Sequence, residues 1–289
     1  MLDLAYVNGV FCPIAEAKVS IEDRGYQFGD GIYEVVAAYH GRPFLLDRHM
    51  ARFRNSAKGI RLEYDFDGQP LEPIVMEGLR RCGRRTVAVY MQLTRGVAPR
   101  SHMIPAGLKP TVVMTFRPLP QVPEETRRNG SRLMTSRETR WANCYIKAIT
   151  LLPNILARNE AIQQGFDDAL FVSESGAIME CTSSNIFLVQ GKTLQLPSRT
   201  ESILHGVTQG FLLECAGEAG LSVREQHCNL EMLKAADEVF ISSTAVEVLG
   251  VTSVDQRPVA DGRVGPVTKK LHEVYRNRVH SACCEGRVQ

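Results

Sequence analysis

Lys147 stands between Ile146 and Ala148 in the stretch TRWANCYIKAITLLPN (139–154), which reads as a buried strand running into a helix. Two readings suit an amine there. An edge lysine lays its stem on apolar surface and keeps its head in water. An amine enclosed by Ile146 and Ile149 instead favours the neutral form that a nucleophile or base requires. Thirty-three residues on, GAIMECTSSNIFLV (176–189) sets Glu180 after an apolar strand and before small hydroxyls and an asparagine. It is either a solvated strand carboxylate or one held in a polar pocket, where it could keep a heteroaromatic nitrogen protonated. Two hydroxyl-bearing turns, ILHGVTQG (203–210) and FISSTAVEV (240–248), complete the set. The first opens a helix, whose free amides suit a phosphate as readily as a simple cap.

Strands and helices must alternate to hold these groups. LAYVNGVFC (4–12) puts Asn-Gly between two apolar runs and predicts a hairpin. A second antiparallel pair is expected over 31–46, a helix over 47–60, and strands over 86–96 and 110–119. PLPQVPEETRRNG (118–130) has the composition of a linker. Beyond it come strands near 131–136 and 144–149, and a helix over 152–165 whose Pro153 falls in the first turn. Two hairpins, a helix over 206–220, a strand over 239–243 and a helix over 266–280 follow. Hairpin-paired strands with interspersed helices imply an α+β protein: a small N-terminal α/β domain (1–118), a linker (119–130) and a larger C-terminal domain (131–289).

Composition narrows the function classes. The 289 residues, 44% hydrophobic, suffice for two cores. Basic and acidic residues number 34 and 32 and are scattered, giving no footprint for nucleic acid or anionic lipid. RRCGRR (80–85) reads as a solvated helix end. The N-terminus lacks an export pattern, and no run of about 18 apolar residues occurs. A cytoplasmic protein without membrane or nucleic-acid partners is expected. Eight cysteines without a CxxC pair suggest reduced thiols, neither a disulfide framework nor a metal site.

EDRGYQFGDGIYEVV (22–36), LTRGVAPRSH (93–102), IKAITLLPNILARNEA (146–161), MECTSSNIF (179–187) and LHGVTQ (204–209) together resemble the fold-type IV pyridoxal-phosphate enzymes, and among them the D-amino acid aminotransferases. The resemblance spans almost the whole chain, in order and spacing. It implies two domains with pyridoxal 5′-phosphate at their interface. Lys147 falls on the lysine that binds the cofactor aldehyde and then moves the Cα proton. Glu180 falls on the carboxylate that pairs with the pyridine nitrogen, and Leu204 on the apolar side chain under the ring. Arg52, helped by Val207, Thr208, Ser243 and Thr244, matches the phosphate site, where a guanidinium fork suits the ligand.

Substrate choice, on the same resemblance, rests on Tyr33 with Arg100 and His102, the last two supplied by a partner subunit to trap the substrate α-carboxylate. The implied substrates are D-amino acids, D-alanine foremost, and 2-oxo acids such as 2-oxoglutarate, handled by a homodimer. Branched-chain transamination and aminodeoxychorismate lysis are the alternative reactions. Two positions depart from the pattern: Cys181 follows Glu180 where a small residue, most often glycine, is usual, and Ala37 replaces a lysine found in some relatives.

Overall fold

A computed structural model describes residues 3–284. The chain divides into two compact units: one takes the chain up to Pro120, Ile146–Thr150 and the residues from Val279 on, and the other takes Gln121–Tyr145 and Leu151–Arg278. The second stretch of the first unit is the short piece carrying Lys147.

In the first unit, β1 (Leu4–Val7) and β2 (Val10–Pro13) form the hairpin expected at Asn-Gly. Asn8 and Gly9 both take positive φ, 44° and 103°, as a tight turn matched to strand twist demands. The chain continues through α1 (Arg24–Phe28), β3 (Gly31–Tyr39), β4 (Arg42–Pro43), α2 (Leu46–Gly59), α3 (Glu72–Cys82), β5 (Thr86–Thr94) and β6 (Thr111–Pro118). The six strands make one antiparallel sheet ordered β2-β1-β6-β5-β3-β4. Gly31 pairs with Thr94, and Thr94 with Thr111. The 95–110 loop therefore leaves the sheet at the end where α1 enters β3.

Met50, Phe53 and Ala57 bury one face of α2 in the core with Ile32, Val36, Met91 and Phe116. The helix α3 ends at the RRCGRR stretch that reads as a helix end, though its earlier turns were not expected from the sequence. It packs so closely that a Cβ on Gly78 would run into the Phe116 ring. Its basic end behaves as a surface feature: Arg80 and Arg81 both pair with Glu77.

The strand expected over 144–149 is only a short pairing beside β3. Ile32 and Ala148 form an isolated bridge, the Tyr33 amide donates to the Lys147 carbonyl (2.9 Å), and the Ile149 amide to the Gly31 carbonyl (3.1 Å). The Lys147 amide donates to Ser56 Oγ on α2 (3.1 Å), which ends the ladder there.

The second unit holds α4 (Glu124–Asn129), β7 (Ser131–Arg137), α5 (Leu152–Gln163), β8 (Asp168–Val172), β9 (Ile178–Cys181), β10 (Asn185–Gln190), β11 (Thr193–Pro197), α6 (Val207–Cys215), β12 (Ser222–Gln226), α7 (Leu230–Lys234), β13 (Glu238–Ser243), β14 (Glu247–Val254) and β15 (Arg257–Pro258); α8 (Pro266–Cys283) follows. Its sheet is ordered β12-β11-β10-β13-β14-β7-β8-β9, with β15 on β14. β7 runs parallel to both β14 and β8, so α5 is the crossover that links two parallel neighbours.

Within the stretch expected as a linker, Glu124–Asn129 form the short helix α4. Its first turn carries Glu124 and Glu125 and its last Arg127 and Arg128, signs that suit the helix dipole. The strand β14 also goes beyond the expectation, because its first residues belong to a hydroxyl-rich stretch that resembles a turn; they pair with β13, and its later residues pair with β7 across a register shift between Val251 and Ser253. Leu133, Leu170, Ile186, Ile241 and Val251 lie in the main core of this unit.

Candidate active site

Lys147 Nζ lies over the Tyr33 ring, 4.3 Å from its centroid. Tyr33 in turn stacks on Tyr90, with centroids 5.7 Å apart. Burial pushes the Tyr90 phenol up to about 12. The neighbour of Tyr33 on β3, Glu34, points to the opposite face of the strand and is fully buried. Arg52 grips it with two nitrogens, Nε to Oε1 at 2.6 Å and Nη2 to Oε2 at 2.9 Å, and His49 Nδ1 lies 2.8 Å from Oε2. Burial alone would raise the Glu34 carboxyl, but Arg52 and His49 overcome it and hold the group well below the carboxylate range. His49 is lowered by its burial, which the Glu34 charge offsets only in part. The guanidinium of Arg52 is therefore oriented by a buried carboxylate, with only 12% of its side chain exposed.

Arg100 and His102 are brought together on a single ring. The Arg100 guanidinium sits over Phe28 at 4.4 Å, and the His102 ring meets Phe28 edge-on at 5.7 Å. Both residues are exposed. Tyr33 belongs to the Lys147 cluster rather than to this one.

In the second unit, Glu180 lies near the end of β9, almost fully buried. Three donors converge on its carboxylate: Arg140 Nη1 (2.5 Å), the Leu204 amide (3.1 Å) and Asn185 Nδ2 (3.0 Å). Asn185 also donates to the Leu204 carbonyl (2.9 Å), and Arg140 is shared with Glu138, Nη2 to Oε2 at 2.6 Å. Burial works against the Arg140 charge, yet Glu138 and Glu180 raise its affinity for its proton above the usual arginine value. Leu204 is thus joined to Glu180 through its backbone.

Val207 and Thr208 open α6, which has Gly206 at its N-cap, so no side chain caps its first amides. Ser243 and Thr244 lie where β13 turns into β14, and Ser243 Oγ accepts from the Val246 amide (3.3 Å). Two side-chain atoms near these turns, Gln209 Oε1 and Ser242 Oγ, are buried without a hydrogen-bond partner. The uncapped amides and the serine and threonine hydroxyls are a donor set that fits a phosphate-bearing cofactor.

Sequence reasoning missed Glu34, His49, Arg140, Glu138 and Asn185. Arg140 lies within the stretch that drew attention to Lys147, but its partner is 40 positions away, and nothing local marks an arginine as a carboxylate anchor. Cys181 is buried, and that burial pushes its thiol well up; its amide donates to the Ser184 carbonyl (2.8 Å), closing the turn behind Glu180. Ala37 is buried in the interior of β3.

Residues 31–254 match the family described as amino-transferase class IV. The chain is 38% identical to the D-alanine aminotransferase of Bacillus licheniformis over 274 residues, which cover 95% of this chain and 96% of that one. A branched-chain amino acid aminotransferase from T.th., solved with N-(5′-phosphopyridoxyl)-L-glutamate, superposes with a TM-score of 0.87 at 30% identity, covering 99% of this chain and 96% of that one. The 4-amino-4-deoxychorismate lyase of Pseudomonas aeruginosa superposes with a TM-score of 0.82 at 26% identity, covering 96% and 98%.

Proposed function

The chain belongs to the class IV amino-transferases, and we propose that within them it passes the amino group of D-amino acids, D-alanine foremost, to 2-oxo acids such as 2-oxoglutarate. The cofactor is pyridoxal 5′-phosphate, which when bound supplies an electron sink for the charge left at Cα. Lys147 is the residue we assign to the cofactor aldehyde. Once released by the donor amine, its Nζ takes the proton from Cα and returns one in the second half-reaction, acting as base and then acid. The Tyr33 face under Nζ orients the amine for that transfer.

Glu180 is assigned to the pyridine nitrogen. Arg140, Asn185 and the Leu204 amide fix its carboxylate, so little reorganisation is needed as charge develops. Arg52, the amides of Val207 and Thr208, and the hydroxyls of Thr208, Ser243 and Thr244 are assigned to the phosphate, and Leu204 to the underside of the ring. For Arg52 the supporting feature is its rigid clamp on Glu34, which fixes the direction of the fork.

The observation that carries the choice of substrate is the exposed pair Arg100 and His102 on Phe28, two donors suited to a carboxylate. With Tyr33 they are assigned to the α-carboxylate, and we place them in the site of a partner subunit, making the active unit a homodimer. The loop also exposes Met103 and Ile104, apolar surface that a second copy would cover. Among the described residues no helix is long and apolar enough to cross a membrane. The free thiols suit a reducing cytoplasm. The test is a donor panel: D-alanine should turn over well above L-leucine and L-valine, with no pyruvate released from aminodeoxychorismate. Preference for the branched-chain L-amino acids, or lyase activity, would replace this reading.

A further inference from the structure

Ahead of β3, α1 and the residues beside it form a buried network that reaches the 95–110 loop. Asp23 caps α1 by accepting from the Gly25 amide (2.8 Å) and also takes the Thr94 hydroxyl (2.9 Å). The Arg24 amide donates to the Gly96 carbonyl (2.9 Å), and the Ala98 amide to the Glu22 carbonyl (3.1 Å). Arg24 is 4% exposed, unusual for an arginine on a five-residue helix. Its Nε donates to Asp30 Oδ2 (2.8 Å), and its Nη1 donates to the Ser101 carbonyl (2.7 Å) and reaches the Met103 carbonyl at 3.5 Å.

Those carbonyls flank His102, and Ser101 directly follows Arg100. The Arg24 guanidinium also lies over Phe28 at 4.9 Å, the ring that carries Arg100 and His102. Arg95 Nε donates to both Asp30 oxygens, Oδ1 at 3.0 Å and the Oδ2 shared with Arg24 at 2.8 Å, and its remaining nitrogens donate to the carbonyls of Arg61 (2.8 Å) and Ile60 (2.7 Å) at the end of α2. A chain of rigid contacts therefore runs from α2 through Arg95, Asp30 and Arg24 to the backbone between the two exposed side chains.

We propose that Arg24 is a positioning residue for substrate specificity: it pins the backbone at Ser101 so that Arg100 and His102 stay together on Phe28, ready for a substrate carboxylate. The inference rests on the reading of Arg100 and His102 as the carboxylate trap. A charged donor to a carbonyl contributes more than a neutral one. An exposed loop without such an anchor would have to order itself when substrate binds, and that cost falls on affinity.

The experiment follows the donor half-reaction of the holoenzyme in single turnovers, by the loss of the cofactor's visible absorbance. D-Alanine is compared with (R)-1-phenylethylamine, which has no carboxylate, in the parent, Arg24→Gln, Arg24→Lys, Arg100→Ala and the Arg24→Gln/Arg100→Ala double variant. Arg24→Gln should raise the half-saturating D-alanine concentration about tenfold, the value of one charge-assisted contact, with the saturated rate and the amine nearly unchanged. Arg24→Lys should fall in between, and Arg24→Gln should add little once Arg100 is gone. Amide hydrogen exchange over residues 99–104 should quicken in Arg24→Gln while β5 and β6 stay protected.

An Arg100→Ala effect equal for both donors would sink the trap reading itself. A selective Arg100→Ala effect alongside an Arg24→Gln protein that handles D-alanine normally, or loses both donors equally, would overturn the role of Arg24 alone. Failure of both Arg24 variants to fold would assign the residue to the fold and would overturn it too.

Discussion

At the level of single residues, Lys147 and Glu180 are assigned different jobs. Lys147→Ala removes the amine that takes the Cα proton, so turnover should fall by a hundred- to ten-thousandfold, roughly what a positioned acid–base group contributes. Borohydride should no longer fix the cofactor to the chain, and circular dichroism should show an unchanged fold. Glu180→Gln keeps the shape but removes the charge, so turnover should fall about tenfold to a hundredfold while cofactor stays bound, as dialysis and absorbance would show. Parent-like rates in either variant would take that residue out of its role. Both residues draw attention locally, an amine among isoleucines and a carboxylate before a hydroxyl run, and the family resemblance supplies their proposed roles. Their supports were not legible in the sequence. Arg140 reaches Glu180 across 40 positions and Arg52 reaches Glu34 across 18, and such pairings follow from strand order, which a linear reading does not contain.

Among the elements, hairpins read best, because their signal is a backbone requirement. Asn8 and Gly9 had to take positive φ, and the strands beside them follow. The turn from β13 to β14 read worst. Its hydroxyls suggested loop, whereas Glu247, at φ 59°, begins a strand and is itself buried, its carboxylate held by His272 Nε2 at 2.9 Å and Arg276 Nη1 at 2.7 Å, both from α8, with Arg127 of α4 at 3.3 Å. Burial would raise the Glu247 carboxyl, but His272 and Arg276 bring it down from 4.5 to about 2. A carboxyl lowered by folding contributes stability in full above its unfolded value and loses it as pH falls through the folded one. Glu247→Gln should therefore cost on the order of 3 kcal/mol in urea unfolding at pH 7, with the gap to the parent narrowing as pH drops from about 4.5 toward 2. A gap that stays constant with pH would mean that the glutamate contributes through shape and not charge.

Taken as a whole molecule, the chain carries Lys147 in its first unit and Glu180 in its second. The family resemblance made the cofactor and reaction class legible, because motif order persists where individual contacts do not. The proposed assembly has its own check: an Arg100→Ala protein mixed with a Lys147→Ala protein under subunit exchange should recover activity on D-alanine. Only a mixed dimer whose loop reaches across has one site with both groups; absence of recovery despite exchange would confine the loop to its own subunit. The central claim is stereochemical, and the chirality of the product tests it most directly. Supplied with D-alanine and 2-oxoglutarate, the holoenzyme should form pyruvate and D-glutamate in equal amounts and leave L-alanine essentially untouched. Formation of L-glutamate, or equal use of the two alanine enantiomers, would contradict the account.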